Sequence, residues 1–233
     1  MSEKEIIEIV YEFLFDDGRK HSFSLRIDAE NLTLVGGRKG DGPVWTRLDY
    51  SKCPNCPLDA EKTEYCPLAL NLVDIIEEFS DISSIEIAEI KVKTPERNFS
   101  RRLPVQKGLS SILGIYMTTS GCPILSKLKP MVRYHLPFAS VEETVFRAVS
   151  TYLTGQYFVM KKGGVPDWNL VKLMVNYGEI EKVNEMMAHR LRSAAKKDSS
   201  VNAVVILDVF AKFVPLSIEL SLKKLNYLFT DII

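Results

Sequence analysis

No apolar run in this sequence reaches the ~20 residues that a bilayer-spanning helix needs. A transmembrane helix is therefore not expected. The first residues, Met1-Ser2-Glu3-Lys4-Glu5, show neither the basic segment nor the apolar segment of a secretory signal. The expected location is cytoplasmic. Histidine is scarce, and His21, His135 and His189 stand at no spacing that makes a metal or catalytic motif. There is no Glu-x-x-His pair of the kind that di-iron bundles use, which leaves Glu142 and Glu143 as charges complementing a helix start. The glycine-rich stretch Gly36 to Pro43 lacks the Walker spacing and the Ser or Thr that follows it, and no βαβ unit surrounds it. It reads as a loop rather than a phosphate cradle. Internal repeats and low-complexity tracts are also missing.

Net charge is absent overall, with 30 basic and 30 acidic side chains, but the balance is uneven along the chain. Residues 1–100 carry 20 acidic and 12 basic side chains, a balance of −8, and the remainder carries 10 and 18, a balance of +8. The basic residues Arg101, Arg102, Lys107, Lys127, Lys129 and Arg133 would suit an anion or a nucleic-acid backbone if they formed one face. The acidic first part would repel the same backbone, and no nucleic-acid fingerprint accompanies the aromatics. Nucleic acid is thus the less favoured partner. A protein partner is left open, as is the oligomeric state.

Cysteine is sparse too, at four in 233 residues, yet Cys53, Cys56, Cys66 and Cys122 are each followed by proline. Proline suits the first turn of a helix, because its φ is pre-set and its missing N–H is not needed there. Each Cys-Pro therefore reads as a helix start with the thiol at the N-cap, where free backbone N–H groups and the helix dipole favour an anionic sulfur. One Cys-x-x-Cys and two single cysteines supply the four thiolates that zinc or a [4Fe–4S] cluster takes. The pattern suits either metal centre equally. Two other readings stand beside it: buried structural thiols, and a thiol redox enzyme using Cys122 in its basic surroundings.

Periodicity divides the chain near residue 103. Residues 1–103 read as a β-rich region holding the cysteine loop, with strands at Ile6 to Phe15, His21 to Ile27, Leu32 to Val35, Val44 to Tyr50 and Ser84 to Val92. One amphipathic helix, Leu68 to Phe79, lies among them. Residues 104–233 read as helices at Val105 to Thr118, Pro123 to Tyr134, Val141 to Met160, Asp167 to Ala195 with a break at Gly178, and Val201 to Phe229 with a kink at Pro215. The expected class is α+β, a mostly antiparallel sheet followed by a helical bundle. The 55 residues separating Cys66 from Cys122 make a long loop, so a shared ion would staple the two regions together. Asp208 and Lys212, four apart, read as a structural ion pair.

Two resemblances add to this. Thr119-Ser120-Gly121-Cys122-Pro123 is similar to the Thr-x-x-Cys-Pro segment of peroxiredoxins, but Ile115 stands where those enzymes place a proline, and helices surround it. The run Cys-Pro-x-Cys-Pro-Leu at Cys53, Cys-Pro-Leu-Ala at Cys66, Thr-Ser-Gly-Cys-Pro at Thr119, Lys-Pro-Met-x-Arg-x-His-Leu-Pro at Lys129 and Asp-Ser-Ser-Val-Asn-Ala at Asp198 resembles a family of uncharacterised bacterial proteins. That likeness extends from Asp16 to the last helix. It implies a bacterial source and a single co-occurring unit, and it assigns no catalytic residue.

Overall fold

Strand β1, Ile6–Phe15, alternates so that Ile7, Ile9, Tyr11, Phe13 and Phe15 all turn to one face and are buried. Period-two alternation of this kind makes one wet and one dry face. The computed structural model describes residues 5–194 and 197–231, apart from the side chains at 210, 213–217, 219 and 221. After β1, Gly18 takes φ +91° in a tight turn, with its N–H donating to the Phe15 carbonyl. Strand β2, Lys20–Asp28, then pairs antiparallel with Phe13 opposite His21. Strands β3, Ile87–Lys93, and β4, Asn98–Pro104, complete an antiparallel sheet in the order β2-β1-β3-β4. The class is α+β.

Helix α1, Pro67–Glu78, and helix α2, Val105–Thr119, follow the cysteine loop and the sheet respectively. Where α2 meets the sheet the backbones lie close, because a Cβ on Gly108 would stand 2.2 Å from Ile90 Cδ1 and 2.8 Å from Phe13 Cε1. Only glycine fits that approach. A short helix α3, Lys129–Arg133, precedes the long α4, Val141–Lys161, α5, Val171–Ala194, and α6, Ser199–Leu225. Helix α6 packs along α5 and also against α2 and α4. One continuous set of buried apolar side chains runs from β1 and β3 through α1 and α2 into α5 and α6.

Several sequence expectations are corrected. Val44 to Tyr50 is not a strand: its residues close local i→i+3 bonds, Thr46 N–H to the Pro43 carbonyl and Arg47 N–H to that of Val44. Leu32 to Val35 makes only a single bridge, Leu34 to Ile27, because Leu32 sits at φ +54° and the Asp28 carboxylate draws the N–H groups of Glu30 and Asn31 into a turn. Strand β4 was not foreseen, since as an edge strand it buries Leu103 while its two arginines face solvent, which erases the alternation. Pro123 to Tyr134 is a 3-10 turn at Leu125–Leu128 followed by α3. Pro130 is tolerated only in a first helical turn, so the helix restarts there. Helix α5 begins at Val171, where Asp167 accepts from the N–H groups of Val171 and Lys172, and it passes Gly178 unbroken. Asp198 stands at the N-cap of α6, but its carboxylate accepts from the N–H and hydroxyl of Ser84, at 2.9 and 2.8 Å, rather than from the helix's own N–H groups. Ser140 and Glu143 do form a reciprocal capping box on α4. Helix α6 runs on through position 215, whose side chain lies outside those described.

The three histidines go to three separate places, His21 to Glu78, His189 to Ser51 and His135 to Tyr11. The Tyr11 hydroxyl shares a hydrogen bond with His135 Nε2 at 2.5 Å and lies 2.8 Å from Ser111 Oγ. Burial, helped by the nearby charge of Arg147, disfavours the charged ring and pushes its pKa down to about 3. An unfolded chain takes up this proton near pH ~6.5. Between those values the unfolded state holds more protons, so stability is fully present above pH ~6.5 and falls as the pH drops toward 3. The ring is only half-buried and its remaining surface faces an interior cavity. That reduces the expected loss to ~2–3 kcal/mol between pH 7 and 4. Urea unfolding of the native chain and of His135→Gln should diverge over that interval; parallel curves would show that the ring carries no such cost.

Candidate metal centre

Three chain segments bring the cysteines together. Cys53 and Cys56 sit in a tight loop closed by the Cys56 N–H on the Cys53 carbonyl at 3.0 Å. Cys66 is the N-cap of α1, with Pro67 opening the helix, as its Cys-Pro sequence predicted. Cys122 follows the end of α2, after Gly121 turns the chain at φ +93°, where an added Cβ would stand 4.0 Å from Pro67 Cβ. Three of the four expected caps therefore fail, because Cys53, Cys56 and Cys122 each precede a turn rather than an α-helix. At Cys122 the N–H groups of Ile124 and Leu125 nevertheless favour the anionic sulfur and pull its thiol's pKa down.

Backbone bonds fix these segments on one another. The Cys66 N–H reaches the Thr46 carbonyl and the Leu48 N–H reaches that of Glu64, both at 2.8 Å, so the strand of chain entering the loop lies beside the one leaving it. Helix α5 forms the platform beneath. Asn55 Nδ2 donates to Glu179 through its carbonyl, 2.9 Å, and its carboxylate, 2.7 Å. Arg190 is 1% exposed and donates to the carbonyls of Trp45, Arg47 and Leu48 at 2.6, 2.7 and 3.1 Å. Its guanidinium has no carboxylate partner among the described residues, so its charge is met by backbone dipoles and by the Tyr50 ring, 6.0 Å from its centre.

All four cysteines line a single cavity of about 20 Å³, together with Leu48, Val183 and Arg190. Burial pushes the Cys53 thiol up to about 12, and the neighbouring Cys66, Cys122 and Cys56 add to the rise while Arg190 opposes it. Burial also raises Cys122; its two amide donors pull the other way, and Cys66 and Cys56 again push upward. The mutual effect places the sulfurs close enough to feel one another's charge. Among the described residues, no group of three or more His, Cys, Asp or Glu side chains is arranged to hold a metal ion with the side chains as they stand.

The basic residues near Cys122 in sequence do not surround it in space. Arg102 pairs with Asp16, Arg133 with Glu96, Lys127 with Asn176 and Lys129 with the Asn31 carbonyl. Arg101 and Lys107 border a different cavity. The cation that does face the thiols is Arg190, which sequence reasoning passed over beside His189. It was detectable in principle, since it falls seven residues after Val183 on a stripe otherwise made of Ile180, Val183, Met187 and Leu191, all buried. A charge on an apolar stripe signals a buried partner.

Residues 9–230 match the family model described as a domain of unknown function, DUF6901, and the chain belongs to that family. No curated protein and no solved structure matches it.

Proposed function

We propose that this DUF6901 member holds a structural zinc ion on Cys53, Cys56, Cys66 and Cys122 and acts as a regulatory, sensing or interaction protein. The observation that carries the reading is the single cavity walled by all four cysteines, drawn from three segments that are far apart in sequence. A Cys sulfur moves ~3 Å when χ1 steps from one staggered well to the next, so side-chain rotation without backbone change can bring such thiols into a tetrahedral set. Ligation must also displace their protons, and the raised Cys53 and Cys122 thiols fit sites that stay protonated until a cation arrives. Arg190 offsets part of the negative charge that four thiolates would bring.

Size favours zinc over a cluster, two metal centres that the cysteine pattern left equal. About 20 Å³ suits one ion, since a single water already needs ~10–15 Å³, whereas an eight-atom cluster requires the walls to part. Four protein ligands also close the coordination shell, which is the arrangement of structural rather than catalytic zinc. Burial that disfavours thiolate at Cys122 weakens the alternative of a redox nucleophile there. Purification without oxygen, followed by metal analysis and a visible spectrum, is expected to return one zinc per chain and no visible band. Iron with sulfide and a broad visible absorbance would replace zinc by a cluster, and absence of any stoichiometric metal would end the proposal.

A further inference from the structure

A second and far larger cavity, about 690 Å³, opens among α2, α4, α5 and α6. That volume lies within the ~300–1,000 Å³ range of small-molecule pockets. Most of its wall is apolar, including Leu128, Met131, Ile180 and Leu207. Helix α5 nevertheless turns Tyr177 and Asn184 to the same wall, about one turn on either side of Ile180. Both residues are buried, at 5% and 2% exposure, and no side-chain hydrogen bond among the described residues engages either, while their polar atoms are not sealed from the cavity. An amide on an otherwise apolar wall is costly unless it meets water or a ligand, and asparagine is also a poor helix former; an ordinary packing role would favour an apolar residue at 184.

A cation faces the same space. Arg147 lines the cavity and is held by the carbonyls of Met131 and Tyr134, at 2.7 and 3.1 Å, without a carboxylate partner among the described residues. Glu143 is the acidic residue on this wall, and its carboxylate is already occupied by the Ser140 N–H. Arg101 and Lys107 at the border add positive charge. We propose that this cavity binds an amphipathic carboxylate, its head on Arg147 with Tyr177 and Asn184 as further polar contacts and its aliphatic body along the apolar wall. Desolvation lowers the Arg147 pKa and raises that of Tyr177, so an anion beside the guanidinium and a neutral phenol donor would both be favoured. The site does not depend on the proposed metal, although the consecutive residues Ile124 and Leu125 wall the two cavities in turn.

Isothermal titration of the full chain, as purified, with sodium dodecanoate below its micelle concentration tests this, using dodecan-1-ol and acetate for comparison. Dodecanoate is expected to bind once per chain, dodecan-1-ol at least tenfold more weakly, and acetate undetectably. Arg147→Gln should bring dodecanoate down to the affinity of the alcohol and leave the alcohol unchanged. Because Arg147 also holds two carbonyls, Gly114→Leu provides an independent variant. A Cβ there meets only Leu207, at 3.7 Å, so the added side chain enters the cavity, and a tenfold or greater loss of dodecanoate affinity with unchanged circular dichroism is expected. No binding by the native chain, equal affinity for acid and alcohol, or indifference of folded Gly114→Leu would each overturn the proposal.

Discussion

Replacing Arg190 by methionine is expected to destabilise the protein by ~3–5 kcal/mol, the range for removing one member of a buried charged network. The side chain is 1% exposed and its three bonds end on the carbonyls of Trp45, Arg47 and Leu48. Methionine fills much of the volume but donates nothing, so these acceptors lose their partners; a hydrogen bond to a charged group is worth ~1.5–3 kcal/mol each. Arg190→Lys should recover only a part, since one ammonium cannot reproduce the planar fork. Urea unfolding measures both. The same carbonyls belong to the segment that leads into Cys53, so Arg190→Met should also release bound metal more readily than Leu191→Ala, a buried change on the same helix that leaves the three bonds to those carbonyls in place. A midpoint within ~1 kcal/mol of the native value, or metal retention no worse than in Leu191→Ala, would remove the latch from the account.

The second large effect concerns the cysteines as a set. Each single change, Cys53→Ser, Cys56→Ser, Cys66→Ser or Cys122→Ser, is expected to abolish stoichiometric metal and lower stability by ~3 kcal/mol or more, because an ion that binds only the folded chain contributes its binding energy to folding. The four losses should not add. Once one ligand is gone the centre is gone, and a quadruple variant should be little less stable than a single one. Independent buried thiols would instead give four small, additive costs. A redox role for Cys122 alone would leave metal content intact in Cys122→Ser, so metal analysis and unfolding of the same five variants distinguish the three readings.

The sheet and the helices were legible in the sequence wherever burial imposed a period. Strand β1 alternates because one of its faces is dry, and the capping box on α4 is local chemistry between Ser140 and Glu143. Legibility failed where the deciding interactions were not periodic: at β4, whose exposed edge follows no pattern, and at Val44 to Tyr50, where strand-forming residues are turned by local carbonyl bonds. The Cys-Pro rule held at Cys66, where an amphipathic stripe follows to sustain a helix. It failed at Cys53 and Cys56, which are followed by no such stripe.

By itself the sequence determined the α+β class, the identity of the four cysteines as a group set apart by their prolines, and the distance along the chain that any shared site must span. Tertiary structure alone decided that the four thiols border one cavity and that the cation beside them is Arg190, not the arginines and lysines adjacent to Cys122 in sequence. It also decided that Arg147, Tyr177 and Asn184 share a wall. The reason is the range over which each kind of information acts. Caps, turns and strand alternation are fixed within a few residues by backbone geometry and burial of one face, whereas the meeting of Cys53, Cys122 and Arg190 depends on how α2 and α5 pack against the sheet and loop, which no local pattern records.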